Sequence, residues 1–336
     1  MEDEKLYSLK DISQTEISRE GLEVITMLLF VHCRATNEKL WEDFKDYVKT
    51  TSKTGTHKVY ETINRIQEYC TNYIAPNEIL YRARALKYQD LVEIMNRPNW
   101  QELKANLERE FPEVQKFLPS CDINTFMYGI FCLPSRKNII PVLNKWIEDN
   151  KDELFWGFDI KGSGSIKRKS KIKEGRLNKK KQRHLYAAKD IQTALLEIRP
   201  TNKQSVSVAE IKILKKLKMF DFTKQLDLTD ETLVSLFNDF YFIAEKCSMP
   251  NYGDDDYYKP TQEISDYICK LGYDGIIFSS SLSNTGKNIL IFENRNIEYS
   301  ERKRKATFKI LNSKIYNITE QKINSQLIFP MSKIQI

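Results

Sequence analysis

Hydrophobic residues recur every three or four positions through much of the first half of the chain, a period that is typical of amphipathic helices. This spacing predicts helices at 20–33, 37–48, 61–73, 100–110 and 140–151. Later in the chain, short apolar runs and alternating runs are typical of strands. These runs predict strands at 79–84, 185–188, 205–208, 219–223, 273–278, 288–292 and 297–299. Two more helices are predicted, at about 230–245 and at 261–271, so the fold class is α+β.

The stretch from 175 to 200 combines a turn, a strand and a short helix. Gly175 and Asn178 delimit a GRLN turn, and Asp190 is a good N-cap for a helix that Pro200 ends. Four apolar residues of that helix share one face and should pack inward, namely Ile191, Ala194, Leu195 and Ile198. Glu197 lies off this stripe, by roughly 110° at the helical period. Its carboxylate can therefore face either solvent or a cleft, and helix glutamates are most often solvated.

Charge is unevenly distributed along the 336 residues, whose net charge is +7. Residues 157–200 hold 13 basic and 4 acidic side chains, and 161–183 alone holds 11 basic residues and one acid. Such a run is most often a solvated loop. It can also steer an anionic substrate toward a cleft, or bind nucleic acid. Nucleic-acid binding is the weakest of the three because almost no aromatic residues are interleaved for base stacking.

The cysteines and histidines indicate no metal site. Six cysteines are scattered without a CxxC pair, and the three histidines are isolated from one another. This pattern is typical of free thiols in a reducing compartment and provides no zinc signature. The run of three aspartates at 254–256 favours a solvated loop, because its spacing does not suit calcium. With an acidic N-terminus and no apolar run long enough to span a membrane, the sequence predicts a cytoplasmic protein.

Two arginines on one predicted strand are candidates for binding a phosphate. Arg82 and Arg84 are two residues apart, and side chains at that spacing point to the same face of a strand. The guanidinium group is planar and can grip a phosphate with two parallel hydrogen bonds. Two solvated arginines on an edge strand would show the same spacing. The sequence therefore leaves both interpretations open, the phosphate site and the solvated pair.

Taken together, six blocks in order resemble the RES domain family, which is named for a spaced Arg, Glu and Ser. The blocks are LYRAR (80–84), GRLN (175–178), LYAAKDIQTALLEIRP (185–200), SVSVAE (205–210), YKPTQEISDYI (258–268) and GYDGIIFSSS with GKNILIF (272–292). The resemblance implies a fold similar to ADP-ribosyltransferases, with a mixed or antiparallel β core and flanking helices. It also implies an enzyme of the kind that degrades NAD+ by phosphorolysis or hydrolysis, as a toxin or defence effector.

The family's residues map onto particular positions of this sequence. Arg82, Glu197 and Ser280 match the arginine, glutamate and serine, so the resemblance implies that they are catalytic. The remaining pocket positions that the resemblance implies are Arg84, Arg176, Asn178, Tyr186, Ser279 and Ser281. Lys179, Lys180 and Lys181 follow the GRLN turn where proline and glycine are common in the family.

The resemblance also divides the chain. Residues 1–78 resemble the HEPN-like helical domain that precedes some RES domains, but the Arg–His nuclease pattern of HEPN domains is missing. The RES domain is then expected at 79–300 with a helical insertion at about 86–155. A C-terminal extension at 301–336 follows, which is predicted to be weakly structured with two β-prone patches.

The implied reaction needs NAD+ as substrate and no metal, with phosphate or water accepting the ribosyl group. Inorganic phosphate would then be a co-substrate. An antitoxin or another regulator is an expected partner, because an NAD+-degrading enzyme must be restrained in its own cell, and a homo-oligomer is an open expectation. Two alternatives stand beside this function, ADP-ribosylation of a macromolecule and binding of nucleic acid through 161–183.

Overall fold

The computed structural model describes residues 19–50, 56–116, 123–149, 157–164, 172–227, 229–250, 258–292 and 306–318. Several sequence predictions lie outside the described residues. They are the placement of the His32 side chain, the loop of three aspartates, the strand at 297–299 and residues 165–171 of the basic stretch. Of the described helices, none is both long enough and apolar enough to cross a membrane.

Eight strands form one sheet, in the order β1-β5-β6-β7-β3-β2-β4-β8. Neighbouring strands are antiparallel except for the parallel pair β5 and β6. The predicted α+β class with a mixed, mostly antiparallel sheet is therefore confirmed. The strands are β1 (Thr71–Ile74), β2 (Ile79–Ala85), β3 (Leu185–Ala188), β4 (Ser205–Ile213), β5 (Leu217–Asp221), β6 (Gly275–Ser279), β7 (Lys287–Ile291) and β8 (Phe308–Asn317).

The described helices fall before and between these strands. A single 3₁₀ turn, Pro112–Lys116, lies among them. The α-helices are α1 (Arg19–Lys49), α2 (Lys58–Ile66), α3 (Tyr88–Met95), α4 (Pro98–Glu110), α5 (Ile123–Cys132), α6 (Arg136–Asp149), α7 (Ile160–Ser163), α8 (Ile191–Glu197), α9 (Glu231–Ser248) and α10 (Lys259–Lys270).

The chain divides into two compact units, of which the smaller joins residues 1–69 with 225–246. Its core is aromatic, with the rings of Trp41 and Phe242 in edge contact at 6.3 Å. The Lys246 ammonium pairs with the Glu38 carboxylate at 3.1 Å. Helix α9 thus packs with α1, although the two are far apart in sequence. The HEPN-like character of the N-terminal helices stays a prediction.

The larger unit, residues 70–224 and 247–336, buries apolar side chains on both faces of the sheet. One face carries a broad cluster that includes Leu80, Leu185, Ile211, Ile277 and Ile289. The other face packs against α8, whose inward residues are those that the sequence predicted. Helices α3 to α6 have a separate core around Trp100 and Leu107, which confirms the helical character predicted for 86–155.

Three element predictions are wrong, two of them because of pairing with strands distant in sequence. The break between 33 and 37 does not occur, and α1 runs through it because no glycine or proline interrupts the backbone. Helix α2 ends at Ile66, and Thr71–Ile74 instead pair with β5. The extension expected to be weakly structured contains β8, which pairs along the whole of β4.

His57 also differs from the loop residue that its polar surroundings predicted. It is the N-cap of α2, where its Nδ1 accepts a hydrogen bond from the Val59 amide at 3.2 Å. Its ring lies 5.0 Å from the ring of Phe44. Burial lowers the pKa of His57. The negative charges of Asp43 and Glu61 raise it, but by less. The residue therefore has a local structural role at the start of a helix.

Candidate active site

A cavity opens where strands β2 and β3 diverge. The two strands pair at Tyr81 and Ala188 but not along the rest of their length. The separation leaves side chains of both strands, with α8 beside them, around a space of about 480 Å³. This volume lies in the range of small-molecule sites. The lining residues are Tyr81, Arg82, Ala83, Arg84, Glu174, Gly175, Arg176, Tyr186, Ala187, Ala188, Ala194, Glu197, Ile198, Tyr258, Phe278 and Asn288.

Three arginines line this cavity. Arg82 and Arg84 both come from β2, which is an inner strand of the sheet. Arg84 donates a hydrogen bond to the Gly164 carbonyl at 3.1 Å, and burial lowers the pKa of its guanidinium. Arg176 lies 5.6 Å above the ring of Phe278, and its buried Nε has no hydrogen-bond partner among the described residues. The cavity therefore has three guanidinium groups to offer to an anion.

Arg176 is held by a turn that closes on itself. The Gly175 amide donates to the Asn178 carbonyl at 2.9 Å, which confirms the predicted turn. The Tyr186 hydroxyl donates to Asn178 Oδ1 and accepts from the Leu177 amide, both at 3.0 Å. Burial raises the pKa of Tyr186, so this hydroxyl keeps the proton that it donates to Asn178. The tyrosine thus couples strand β3 to the turn that carries Arg176.

Helix α10 holds the same turn from the other side. Thr261 Oγ1 donates to the Arg176 carbonyl at 2.6 Å, and Gln262 Nε2 donates to the Gly175 carbonyl at 2.9 Å. Lys179 Nζ bridges the carboxylates of Glu263 and Asp266 at 2.5 and 2.7 Å. The first lysine after the turn therefore fits this fold through ion pairs with α10, without the proline or glycine that is common at this position.

We expect the substitution Tyr186→Phe to lower the free energy of unfolding by about 1–3 kcal/mol, because it leaves the buried Leu177 amide and Asn178 Oδ1 without this partner. Urea unfolding followed by circular dichroism measures the change. Tyr73→Phe is the matched control, since that tyrosine is 51% exposed and should change stability by less than about 0.5 kcal/mol. Equal effects of the two substitutions would contradict the role assigned to the Tyr186 hydroxyl.

Glu197 lies at the end of α8, which begins as the sequence predicted. The Asp190 carboxylate accepts from the Thr193 amide at 2.7 Å and caps the helix. At the other end, Glu197 Oε1 accepts hydrogen bonds from Ser280 Oγ at 2.7 Å and from Asn288 Nδ2 at 2.6 Å. Oε2 accepts none from the described residues. One oxygen of the carboxylate is therefore fixed, and the other is available to the cavity that Glu197 lines.

Most of the predicted site residues lie in or beside this cavity, but not all of them line it. Ser280 is buried, and its hydroxyl donates to Glu197 Oε1. It therefore holds the carboxylate without itself lining the cavity. Asn178 is also buried, and it holds the turn without lining the cavity. Ser279 and Ser281 are exposed and are not among the lining residues.

Five polar or aromatic lining residues were missed by the sequence analysis, which did not single them out. Asn288 is the most informative, because it is a polar residue within the buried apolar strand β7. A polar residue at such a position needs a partner, and this could have served as a signal. The aromatic and acidic residues had no comparable signal. The five are Tyr81, Glu174, Tyr258, Phe278 and Asn288.

The described residues include no group of three or more histidine, cysteine, aspartate or glutamate side chains that could hold a metal ion. The cavity is lined by three guanidinium groups, two carboxylates, of which that of Glu197 is fixed by hydrogen bonds, and several aromatic rings. Such a set can bind an anionic ligand and stabilise positive charge that develops beside the carboxylate.

Part of the chain is similar to known proteins. No curated protein matches the chain. Among solved structures, a chain in the crystal structure of the M. tuberculosis MbcT–MbcA toxin–antitoxin complex is similar, at 16% identity and a TM-score of 0.30. The match covers 46% of this chain and 80% of that one. Residues 155–310, which contain Arg176, Glu197 and Ser280, match the family model described as RES domain, and strand β2 lies outside this range.

Proposed function

We propose that this protein cleaves the bond between nicotinamide and ribose in NAD+, with phosphate or water as the acceptor. The observation that carries the proposal is one cavity in which three arginines lie with a carboxylate fixed by two hydrogen bonds. The RES domain match over residues 155–310 supports the same class of reaction. Macromolecular ADP-ribosylation would use the same cavity and differs only in the acceptor, so the experiment below separates it, whereas nucleic-acid binding has no support in the cavity.

The chemistry of the bond explains why a carboxylate is needed. Nicotinamide is cationic in NAD+ and leaves as a neutral molecule, so its departure requires no general acid. Positive charge instead develops on the ribosyl group, as it does in glycoside cleavage. Glu197 is suited to stabilise this charge, because its carboxylate is already oriented before the reaction begins. We therefore assign Glu197 the catalytic role.

The arginines are suited to the opposite end of the substrate. Arg82 and Arg176 would grip the pyrophosphate, whose two negative charges match guanidinium groups in a partly buried site. Holding the pyrophosphate fixes the distance between Glu197 and the reacting bond, and orientation of this kind contributes strongly to the rate. Arg84 also hydrogen-bonds to Gly164, and this anchors it beside the cavity. Ser280 would act through Glu197.

The acceptor attacks the anomeric carbon as nicotinamide leaves, and the acceptor's proton is released to solvent. Water yields ADP-ribose, and phosphate yields ADP-ribose phosphorylated at that carbon. We further propose an ADP-ribosyltransferase-like fold, supported by the mostly antiparallel sheet and the cavity between its diverging strands. A cognate antitoxin or regulator is proposed as partner, because depletion of NAD+ would harm the cell that makes the enzyme.

The proposal is tested by incubating the purified protein with NAD+ in phosphate buffer and in phosphate-free buffer. We expect nicotinamide release, measured by chromatography, and the mass of the second product identifies the acceptor. NAD+ carrying a labelled adenylate group, incubated with cell extract, tests the alternative of macromolecular ADP-ribosylation. The absence of nicotinamide release in both buffers and in the extract would refute the enzymatic function.

A further inference from the structure

Asn288 is the second hydrogen-bond donor to Glu197, and it comes from a different strand than Ser280. Its side chain is buried, and it is the second residue of β7, followed by three buried apolar residues. Its amide Nδ2 lies 2.6 Å from Glu197 Oε1, slightly closer than the Ser280 hydroxyl at 2.7 Å. Since burying an amide in an apolar strand costs free energy without a partner, this contact requires an explanation.

We propose that Asn288 is a positioning residue that acts through Glu197, by holding the carboxylate in the orientation in which it faces the reacting bond. This inference rests on the proposed function, which it extends by one residue.

The backbone makes Asn288 suited to this role. It pairs with Ala188 in β3 and with Phe278 in β6, so strands on both sides fix its main chain. Ser280 follows β6 directly, and its amide donates to the Gly286 carbonyl at 2.8 Å, one residue before β7 begins. Ser280 and Asn288 thus belong to one β6–β7 hairpin. The hairpin presents both donors to the same oxygen, whereas Glu197 comes from the separate helix α8.

An amide has a property that the test can use, because it donates a hydrogen bond at every pH. In the variant Asn288→Asp, two carboxyl groups would face each other at hydrogen-bond distance and would share a proton. While the proton is present, the new carboxyl group can donate to Glu197 as the amide does. When the proton is lost at higher pH, two like charges repel, and Glu197 is displaced. Activity of this variant should therefore fall as pH rises.

The other charged and titratable groups lining the cavity are the same in the variant and in the wild type. They are Arg82, Arg84, Glu174, Arg176, Tyr186 and Tyr258. The arginines stay protonated across the accessible pH range. Any difference between the two pH profiles therefore reports on the Glu197–Asn288 contact.

The experiment compares the pH profiles of kcat and KM for nicotinamide release in the wild type and three variants. Asn288→Leu should lower kcat at least about 10-fold at every pH with little change in KM, because a hydrogen bond to the charged Glu197 carboxylate is lost. Asn288→Asp should stay within about 3-fold of wild type at low pH and lose at least about 10-fold as pH rises. Asn312→Asp is the matched control, since the Asn312 amide donates to Glu210 at 3.0 Å and neither residue lines the cavity. Its profile should follow the wild type.

A second measurement does not depend on turnover. Infrared spectroscopy should show a protonated carboxyl group near neutral pH in Asn288→Asp that is absent from the wild type and from the double variant Asn288→Asp, Glu197→Gln. Absence of this band, or an Asn288→Asp profile parallel to the wild type, would overturn the inference while leaving the proposed function intact. If the wild type releases no nicotinamide, the proposed function fails, and the infrared result alone decides whether Asn288 holds Glu197.

Discussion

Replacing Glu197 with glutamine is expected to lower kcat for nicotinamide release about 100- to 1,000-fold, the range found when one charge-stabilising group is removed from an active site. Glutamine has nearly the same shape, and its side-chain oxygen can still accept from Ser280 and Asn288. The substitution therefore removes the charge while keeping the geometry. KM should change much less than kcat, because the pyrophosphate would still be held by the arginines.

The matched control for this substitution is Glu210→Gln. Glu210 also accepts from an asparagine amide, that of Asn312, but it lies in β4 and does not line the cavity. Its replacement should leave the rate of nicotinamide release within about 2-fold of the wild type, because Glu210 would not contact the reacting groups. A Glu197→Gln protein that is folded by circular dichroism and retains wild-type turnover would remove Glu197 from the mechanism.

Replacing Gly275 with alanine is expected to lower the free energy of unfolding by at least about 3 kcal/mol, since overpacking a buried site at the backbone leaves little room to relax. Gly275 begins β6, where it pairs with Met219 and Ile291. An added Cβ would overlap the Leu290 carbonyl oxygen and come within 2.6 Å of Met219 Cε. The backbone of β7 cannot move away without breaking its pairing with β3, and this pairing also positions Asn288.

Gly272→Ala separates this steric effect from the conformational preference of glycine. Gly272 has a φ of +86° and follows α10, as its predicted role at the helix end requires, and an added Cβ would meet no atom within 4 Å. Its replacement should cost about 1 kcal/mol through backbone strain alone. Urea unfolding of both variants measures the difference, and similar values for the two would contradict the close strand packing at Gly275.

Elements that depend on neighbouring residues were predicted well from the sequence. Strand β3 has the predicted bounds, and α8 begins after the predicted cap at Asp190 and buries the predicted face. The turn after α10 contains the predicted glycine. These predictions succeed because periodicity, capping and positive φ are properties of a few consecutive residues.

Elements that depend on distant partners were predicted poorly. Thr71–Ile74 continue a helical period, yet they form an edge strand because β5 offers its backbone groups for pairing. Phe308–Asn317 lie in the extension that was predicted to be weakly structured with two β-prone patches, and they form a long strand because they pair along β4. Helix α9 packs with the N-terminal helix α1 through contacts between residues 201 and 208 positions apart. In each case, packing and pairing outweigh local preference.

The sequence by itself determined the residue types of the candidate site, the spacing that puts Arg82 and Arg84 on one face of a strand, and the position of Glu197 off the apolar stripe of its helix. Only the tertiary structure decided that β2 and β3 diverge to form the cavity, that Ser280 points at Glu197, and that Asn288 joins it. The physical reason is that spacing along a helix or strand fixes the direction of a side chain within its own element, whereas the partner that it meets depends on how the strands are ordered in the sheet.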